Sequence, residues 1–351
     1  MKTFLFAALL LAFGWLPAAS AGDADVTARA IAGKEIAGYW NLYESRISGP
    51  LQKWVCQELG RAEGATVFYP FSGPDLPTVV RVFPDAERYV LVSAQAADAP
   101  PRLERLSKAE IDSYLAAFHK AWRLFGSMGF FKTDDLDAAD AKQTAQGDRI
   151  GMTAPLMAFA VRLGFSIEAI EPIRMDQILE DYSPWSLSST DPEKWDSVRL
   201  TLRKGGRTVL VDYVHMNLSN DWLAQWAVDR RWVERMAANP TLLKAASHLP
   251  QEPDFTILRD SLLARAPIIV QDESGIEYSR LIDDFSVRLY GRFTSVNPSF
   301  NRQFQRSLAA AYQRGGAKPL PFLFGYEKPA GSAVQIAVRK SRSRTAFSGC
   351  R

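Results

Sequence analysis

The feature that most constrains the fold is an alternation of strand and helix patterns early in the chain. Thr66–Phe71 is β-rich and apolar, and a turn at Ser72–Asp75 follows it. Leu76–Phe83 predicts a short helix, and Arg88–Ser93 predicts a second buried strand. This order predicts a βαβ unit, in which two parallel strands are joined by a right-handed crossover.

The same alternation continues further along the chain. Phe165–Ile170 and Pro267–Val270 have the pattern of short buried strands. Two β-rich runs, Val198–Leu202 and Thr208–Val214, flank Gly205-Gly206 and predict a β-hairpin. We therefore expect one α/β domain over residues 38–329. Its sheet should be mixed but largely parallel, flanked by helices in three Rossmann-like layers, with an edge β-hairpin.

Several other segments have patterns that predict their structure. Apolar residues at helical spacing in Tyr39–Leu59 predict two helical pieces, separated at Gly49-Pro50. Thr241–His248 predicts a further helix. The small and polar residues 22–37 predict a flexible leader, and the basic, serine-rich residues 330–351 predict a mobile tail.

Residues 1–21 have the layout of a cleavable secretory signal. Lys2 precedes an apolar run from Phe4 to Leu16, and Ala19-Ser20-Ala21 supplies the small residues of a cleavage site, so the predicted mature chain begins at Gly22. The apolar run is too short for an anchor, and no later segment has the length of apolar sequence that spans a bilayer. We expect a periplasmic or secreted protein with no transmembrane span after signal cleavage.

Composition and charge exclude several classes of function. The 351 residues are 47% hydrophobic and 23% charged, which is ordinary for a globular protein with a well-filled core. A net charge of only +3 argues against a nucleic-acid partner, which would require a strongly basic face. Two cysteines and three scattered histidines argue against a metal site. Export also places the chain where nucleotide cofactors are scarce, so we expect no cofactor.

The two cysteines, Cys56 and Cys350, leave two interpretations open. An oxidising compartment permits a disulfide between them, which would join an early helix to the end of the chain. Alternatively, Cys56 is a small core residue and Cys350 is a free thiol in the tail.

Polar residues cluster after the predicted strands. In an open α/β sheet, ligands bind beyond the carboxyl ends of the strands, where the strand order reverses. We therefore predict that a polar small molecule or glycan binds to residues of these loops, namely Ser72, Gly73, Asp75, Gln95, Gln271, Asp272 and Ser274. An ordinary strand-to-helix turn, with Asp75 as the N-cap, is the alternative interpretation of the first loop.

Two other functions are consistent with the same residues. The first is a cofactor-independent hydrolase of cell-envelope material, with catalytic candidates Ser72, Asp75, His215 and Asp272. No Gly-x-Ser-x-Gly elbow is present, and a pair of carboxylates acting on a glycosidic bond is a further variant. The second is a non-catalytic partner in envelope assembly.

Three segments carry a resemblance to known sequences. Phe68–Asp75 (FYPFSGPD), Gln271–Ile276 (QDESGI) and Arg288–Arg292 resemble a family of uncharacterised secreted bacterial proteins. The resemblance covers most of the mature chain and implies an envelope setting and a shared fold, but no catalytic residue. The first segment also resembles a loop of some S-adenosylmethionine methyltransferases, although Gln95 stands where an acidic residue would bind the ribose.

Overall fold

The computed structural model describes residues 21–59, 63–102, 107–128, 151–173, 195–296, 298–326 and 331–342. The predicted signal segment before residue 21 lies outside these residues, and so does Cys350. Cys56 is half-buried in a helix, and its disulfide with Cys350 stays a prediction.

The described strands form one sheet. They are β1 (Thr66–Pro70), β2 (Arg88–Ser93), β3 (Ser166–Pro172), β4 (Val198–Lys204), β5 (Arg207–His215), β6 (Thr241–Leu243), β7 (Ile268–Gln271), β8 (Phe285–Gly291) and β9 (Ala333–Arg339). Their order is β3-β4-β5-β2-β1-β6-β7-β9-β8. The five strands from β5 to β7 are parallel, whereas β3, β4 and β9 pair antiparallel with their neighbours. The predicted α/β class, with a mixed and largely parallel sheet, is confirmed.

Helices cover both faces of the sheet. They are α1 (Ala21–Ile31), α2 (Lys34–Tyr43), α3 (Gly49–Glu58), α4 (Leu76–Val82), α5 (Lys108–Met128), α6 (Thr153–Arg162), α7 (Asn220–Gln225), α8 (Ala227–Met236), α9 (Thr256–Arg265), α10 (Tyr278–Leu281) and α11 (Arg306–Gln313). Side chains of β1 alternate between two cores: Tyr69 belongs to the same core as Trp122 of α5 on one face, and Phe68 packs against Trp232 of α8 on the other. Among the described helices, none is long and apolar enough to cross a membrane.

Two local predictions are confirmed. The segment from β1 through α4 to β2 is a βαβ unit, and β1 pairs in parallel with β2. The hairpin of β4 and β5 turns at Gly205 and Gly206, which have φ values of 57° and 80°. Positive φ at both central positions is what a tight hairpin turn requires. The predicted position of the hairpin at the edge of the sheet is wrong, because β3 pairs with the outer side of β4 and is itself the edge strand.

The structure corrects the predicted flexible leader at residues 22–37. This segment forms α1 and the start of α2, and α1 packs against α6 and β3. Ala24, Ala28 and Ile31 are buried along one face of α1. Their spacing of three and four residues is helical, and the two alanines allow close packing, whereas small-residue composition alone had indicated a loose segment.

Two predicted helical features are also corrected. Gly49-Pro50 does not separate two pieces, because the chain is helical from Lys34 to Glu58, with a π-helical turn at Glu44–Ser48. A π-turn is one of the irregularities that lets a helix accommodate a proline, whose nitrogen cannot donate. The second feature is Thr241–His248, which forms the short strand β6 and a loop instead of a helix.

The predicted mobile tail at residues 330–351 contains a strand of the sheet. Residues 333–337 are buried, and β9 lies between β7 and β8. At its end, Arg339 donates to the carbonyl oxygens of Leu263 and Ala266. The basic residues that follow this apolar run favour a solvated tail. In the structure, the described basic residues lie at the end of the buried strand. Residues 343–351 lie outside the described part of the chain.

Replacing Ile336 in β9 tests this placement. Ile336 is completely buried, so Ile336→Ala should lower the free energy of unfolding by about 2–5 kcal/mol through lost apolar contacts and a cavity. Urea denaturation followed by tryptophan fluorescence measures the change. The exposed Ser341 is the matched control, and Ser341→Ala should stay within about 0.5 kcal/mol of the wild type. Equal effects of the two substitutions would show that β9 is not part of the core.

Candidate functional site

The direction in which the chain adds parallel strands to the sheet reverses between β1 and β6. From β1 the chain adds β2 and β5 on one side, and β6 and β7 extend the other side. The loops after β1 and β6 therefore leave neighbouring carboxyl ends in different directions, which is where open α/β sheets bind ligands. We call the space between loops Phe71–Asp75 and Lys244–His248 the switch crevice.

A buried ion pair joins the two loops that border the switch crevice. Lys244 Nζ lies 2.7 Å from Asp75 Oδ2 and 2.9 Å from Thr78 Oγ1. Lys244 is 2% exposed and Asp75 is 3% exposed. Asp75 also caps α4, because its carboxylate accepts from the backbone N–H of Thr78. The pair therefore fastens the loop after β6 to the helix that follows β1.

Tyr69 completes the environment of this carboxylate. Its hydroxyl donates to Asp75 Oδ2 at 3.1 Å. Burial, followed by the charge of Asp75, raises the pKa of Tyr69 well above its usual value. The phenol therefore stays protonated and remains a donor, so Asp75 is satisfied by a lysine, a phenol and a backbone amide.

The loop after β7 joins the switch crevice through Asp272. The backbone N–H of Ala245 donates to Asp272 Oδ2 at 2.7 Å, and that of Ser274 donates to Oδ1 at 2.8 Å. The Ser274 hydroxyl, which donates to Asp272, also accepts from the N–H of Ala246 at 2.7 Å. Burial nevertheless raises the pKa of Asp272. The predicted residues Asp75, Asp272 and Ser274 are thus brought together by the loop after β6.

Gly325 explains how closely the chain covers this cluster. Its φ is +74°, and a Cβ atom at this position would collide with the carboxylate of Asp272. Only glycine combines this left-handed backbone with such a close approach. The segment before Tyr326 therefore lies directly over Asp272.

Three non-glycine residues in the loop after β6 have a left-handed backbone. Ala245, Ser247 and His248 have φ values of 50°, 51° and 58°. Each such residue costs about 1–3 kcal/mol, and such strain concentrates at functional sites. The hydroxyl of Tyr326 holds the loop: it accepts from the Ser247 N–H at 3.0 Å and donates to the Ala245 carbonyl at 2.7 Å.

Two aromatic rings, those of Phe300 and Tyr326, lie beside this loop. The ring of Phe300 lies 5.5 Å from that of Tyr326 and 4.8 Å from that of His248, between ring centroids. Phe300 and Tyr326 are half-buried, and Ser247 is exposed. The hydroxyl oxygens of Ser247 and Tyr326 are 2.9 Å apart. The surface around Ser247 therefore presents a hydroxyl pair next to two aromatic rings.

His248, whose ring lies next to that of Phe300, is completely buried. Gln251 Nε2 lies 3.3 Å from its Nδ1 and also donates to the carbonyl oxygens of Glu273 and Gly275. Burial lowers the pKa of His248 to about 4, so the imidazole is neutral at neutral pH. No described residue hydrogen-bonds to its Nε2.

Three other predicted residues act within their own loops. The Ser72 hydroxyl donates to the Gly73 carbonyl at 2.9 Å. Gln95 bonds to the side chain of Ser93 at the end of β2. Gln271 bonds through its side-chain amide to the N–H and carbonyl of Ile276. These contacts shape the loops.

His215 is separated from the switch crevice. It is half-buried at the end of β5, and β2 lies between β5 and β1. Within the described structure its Nδ1 has no hydrogen-bond partner. Neither His215 nor His248 bonds through a ring nitrogen to a serine hydroxyl or a carboxylate in the described structure, so the pairing of a catalytic serine and histidine is not formed there.

Sequence reasoning missed Lys244, Ser247, Phe300 and Tyr326. Lys244 follows the apolar Thr241-Leu242-Leu243 run directly, and a lysine at the end of a buried strand is a usable signal. The predicted helix over Thr241–His248 obscured this signal. Nothing local marks Tyr326, because its role arises from contacts with residues some eighty positions away.

The described residues contain no cluster of three histidine, cysteine, aspartate or glutamate side chains that could hold a metal ion. Comparison of the chain with known protein families, curated proteins and solved structures finds no match.

Removing the lysine should destabilise the fold strongly. Lys244→Met leaves the Asp75 carboxylate buried without its cation, so the free energy of unfolding should fall by about 3–5 kcal/mol. Adding Asp75→Asn to this variant should recover part of the lost stability, because it removes the unpaired buried charge. The exposed Lys318, which pairs with Glu58, is the control, and Lys318→Met should cost about 0–1 kcal/mol. Equal losses in urea denaturation would contradict this role of Lys244.

Acid should destabilise the protein through His248. Its folded-state pKa of about 4 lies below the ordinary value of 6.5, so the unfolded chain binds more protons between these values. The free energy of unfolding should therefore fall as the pH drops from about 6.5 to 4, by up to about 3 kcal/mol. His248→Asn, which tolerates the left-handed backbone, should show a shallower decline in urea denaturation. Identical pH profiles would contradict the assignment.

Proposed function

We propose that this protein is exported and binds a polar small molecule of the cell envelope, a glycan above all, in the switch crevice. The observation that carries the proposal is the hydroxyl pair of Ser247 and Tyr326 beside the half-buried rings of Phe300 and Tyr326. A few fixed polar groups next to aromatic surface are typical of small-molecule sites.

The chemistry of this surface suits a sugar. A serine hydroxyl both donates and accepts hydrogen bonds, as sugar hydroxyls do. The flat apolar faces of Phe300 and Tyr326 suit the C–H face of a sugar ring, because aromatic side chains bury large apolar areas at defined geometry. The strained backbone of Ser247 supports the proposal, because the surrounding structure maintains this conformation at a cost in stability.

The charged residues favour binding over the alternative of hydrolysis. Asp75 is engaged by Lys244, Tyr69 and Thr78, and Asp272 by three donors from Ala245 and Ser274. A carboxylate held this way positions loops and has little capacity left to attack a substrate or move a proton. We therefore assign the acids of the two loops a positioning role.

The sheet order alone would also suit a nucleotide. The five parallel strands follow the third-second-first-fourth-fifth order of dinucleotide-binding sheets. In that class an acidic residue near the end of the second strand binds the ribose, and here Gln95 follows β2. This residue favours a ligand other than a nucleotide.

Calorimetric titration of the purified chain with chitin oligosaccharides and soluble peptidoglycan fragments tests the proposal. Binding by at least one of these probes is expected, together with a raised melting temperature. Ser247→Ala and Phe300→Ala should each weaken it about tenfold or more, corresponding to roughly 1.4 kcal/mol of lost contact. Ser45→Ala replaces an exposed serine of the helical segment near α2 and should leave the affinity unchanged.

Three results would contradict the proposal. Failure of all envelope glycans to bind would favour an assembly partner. Hydrolysis of a glycan, detected as newly released reducing ends and lost in the Ser72→Ala variant, would favour a hydrolase. An intact segment 1–21 on a cytosolic chain, detected by mass spectrometry, would remove the envelope setting.

A further inference from the structure

The basic residues of the chain are unevenly distributed. Across the whole chain, 42 lysines and arginines nearly balance 39 acids. Residues 285–326, however, contain no aspartate or glutamate, and their basic residues are Arg288, Arg292, Arg302, Arg306, Arg314 and Lys318. This segment includes β8 and α11, so a local positive charge lies at one end of the sheet.

The same end of the sheet has an unpaired strand edge. β8 pairs with β9 on one side, and its odd-numbered residues direct their backbone groups to the other side. The N–H of Lys318 donates to the Leu289 carbonyl at 2.9 Å, and the N–H of Gly291 donates to the Lys318 carbonyl at 2.8 Å. No described segment pairs with the outer edge at Phe285 and Val287. Such an edge can accept another strand.

A cavity of about 300 Å³ adjoins this edge. Tyr278, Val287, Leu289 and Ala311 give it apolar surface, and Arg288, Arg314 and Lys318 give it cationic groups. Glu58 forms ion pairs with Arg288 at 3.7 Å and with Lys318 at 2.8 Å. Arg314 is exposed and forms no ion pair with a described residue. The surface therefore keeps an excess of positive charge.

We propose that the outer edge of β8 binds an extended acidic peptide segment of a partner protein as an additional strand. Its backbone would pair with Phe285 and Val287, an apolar side chain would enter the cavity, and its acids would face Arg314. A second copy of this chain fits less well, because antiparallel pairing of two β8 edges would bring together two clusters of arginine and lysine. This surface is separate from the switch crevice.

Fluorescence anisotropy with a short peptide of alternating glutamate and valine tests this proposal on the full chain. Two versions of the peptide, N-methylated at either the glutamate or the valine amides, provide a matched pair, because only alternate residues of an added strand bond to β8. One version should bind about tenfold more weakly than the unmodified peptide, through the loss of roughly two backbone hydrogen bonds, and the other should bind nearly as well.

Substitutions in the protein test the role of charge. Arg314→Gln should weaken binding about threefold or more, as expected for a partly screened pair, and added salt should weaken it further. Arg203→Gln changes an exposed arginine of β4, near the other end of the sheet, and should have no effect.

Three outcomes would overturn the proposal. The first is a peptide affinity that is insensitive to the site of methylation. The second is equally tight binding of dextran sulfate with no difference between the methylated peptides, which would indicate a site for anionic polymers. The third is peptide-independent dimerisation through β8, detected by analytical ultracentrifugation and abolished by Val287→Lys. Loss of glycan binding by Ser247→Ala would leave the peptide result unchanged, so the two proposals fail separately.

Discussion

The ion pair between Asp75 and Lys244 is the interaction on which the arrangement of the candidate site depends. It joins two loops that leave the sheet in different directions. A buried pair of this kind adds little net stability compared with an apolar pair, but each partner becomes costly once the other is lost. The pair therefore favours one relative geometry of the loops after β1 and β6. Asp272, Ser274 and Tyr326 are ordered around the backbone that Lys244 anchors.

Local periodicity was sufficient to predict much of the fold. The βαβ unit from Thr66 to Ser93 and the hairpin at Gly205-Gly206 each depend on contacts between neighbouring segments, and both were predicted correctly. β9 could not be recognised in this way, because its partners β7 and β8 come from earlier parts of the chain and basic residues follow it. In α1 the spacing of Ala24, Ala28 and Ile31 is helical, but the small and polar composition of the segment favours a loose chain.

The candidate site was predictable only in outline. The general rule for α/β sheets identified the loops after β1 and β7, and the structure places both at the same edge. The rule does not say whether side chains point to solvent or inward, and Asp75, Asp272 and Ser274 proved to be buried. The exposed Ser247 and the half-buried Phe300 owe their positions to long-range packing that no local pattern encodes.

The position of β9 has a consequence for how the protein folds. The last described strand lies inside the sheet, between two strands that are made before it. β8 cannot acquire its neighbour until residues 333–339 have been synthesised, so two of the nine described strands join the sheet only at that stage. Pairing between distant segments is slow because a large loop must close first. An unfinished sheet would keep a nascent chain unfolded for longer, which would suit the export that we propose, because a translocation channel admits an extended polypeptide.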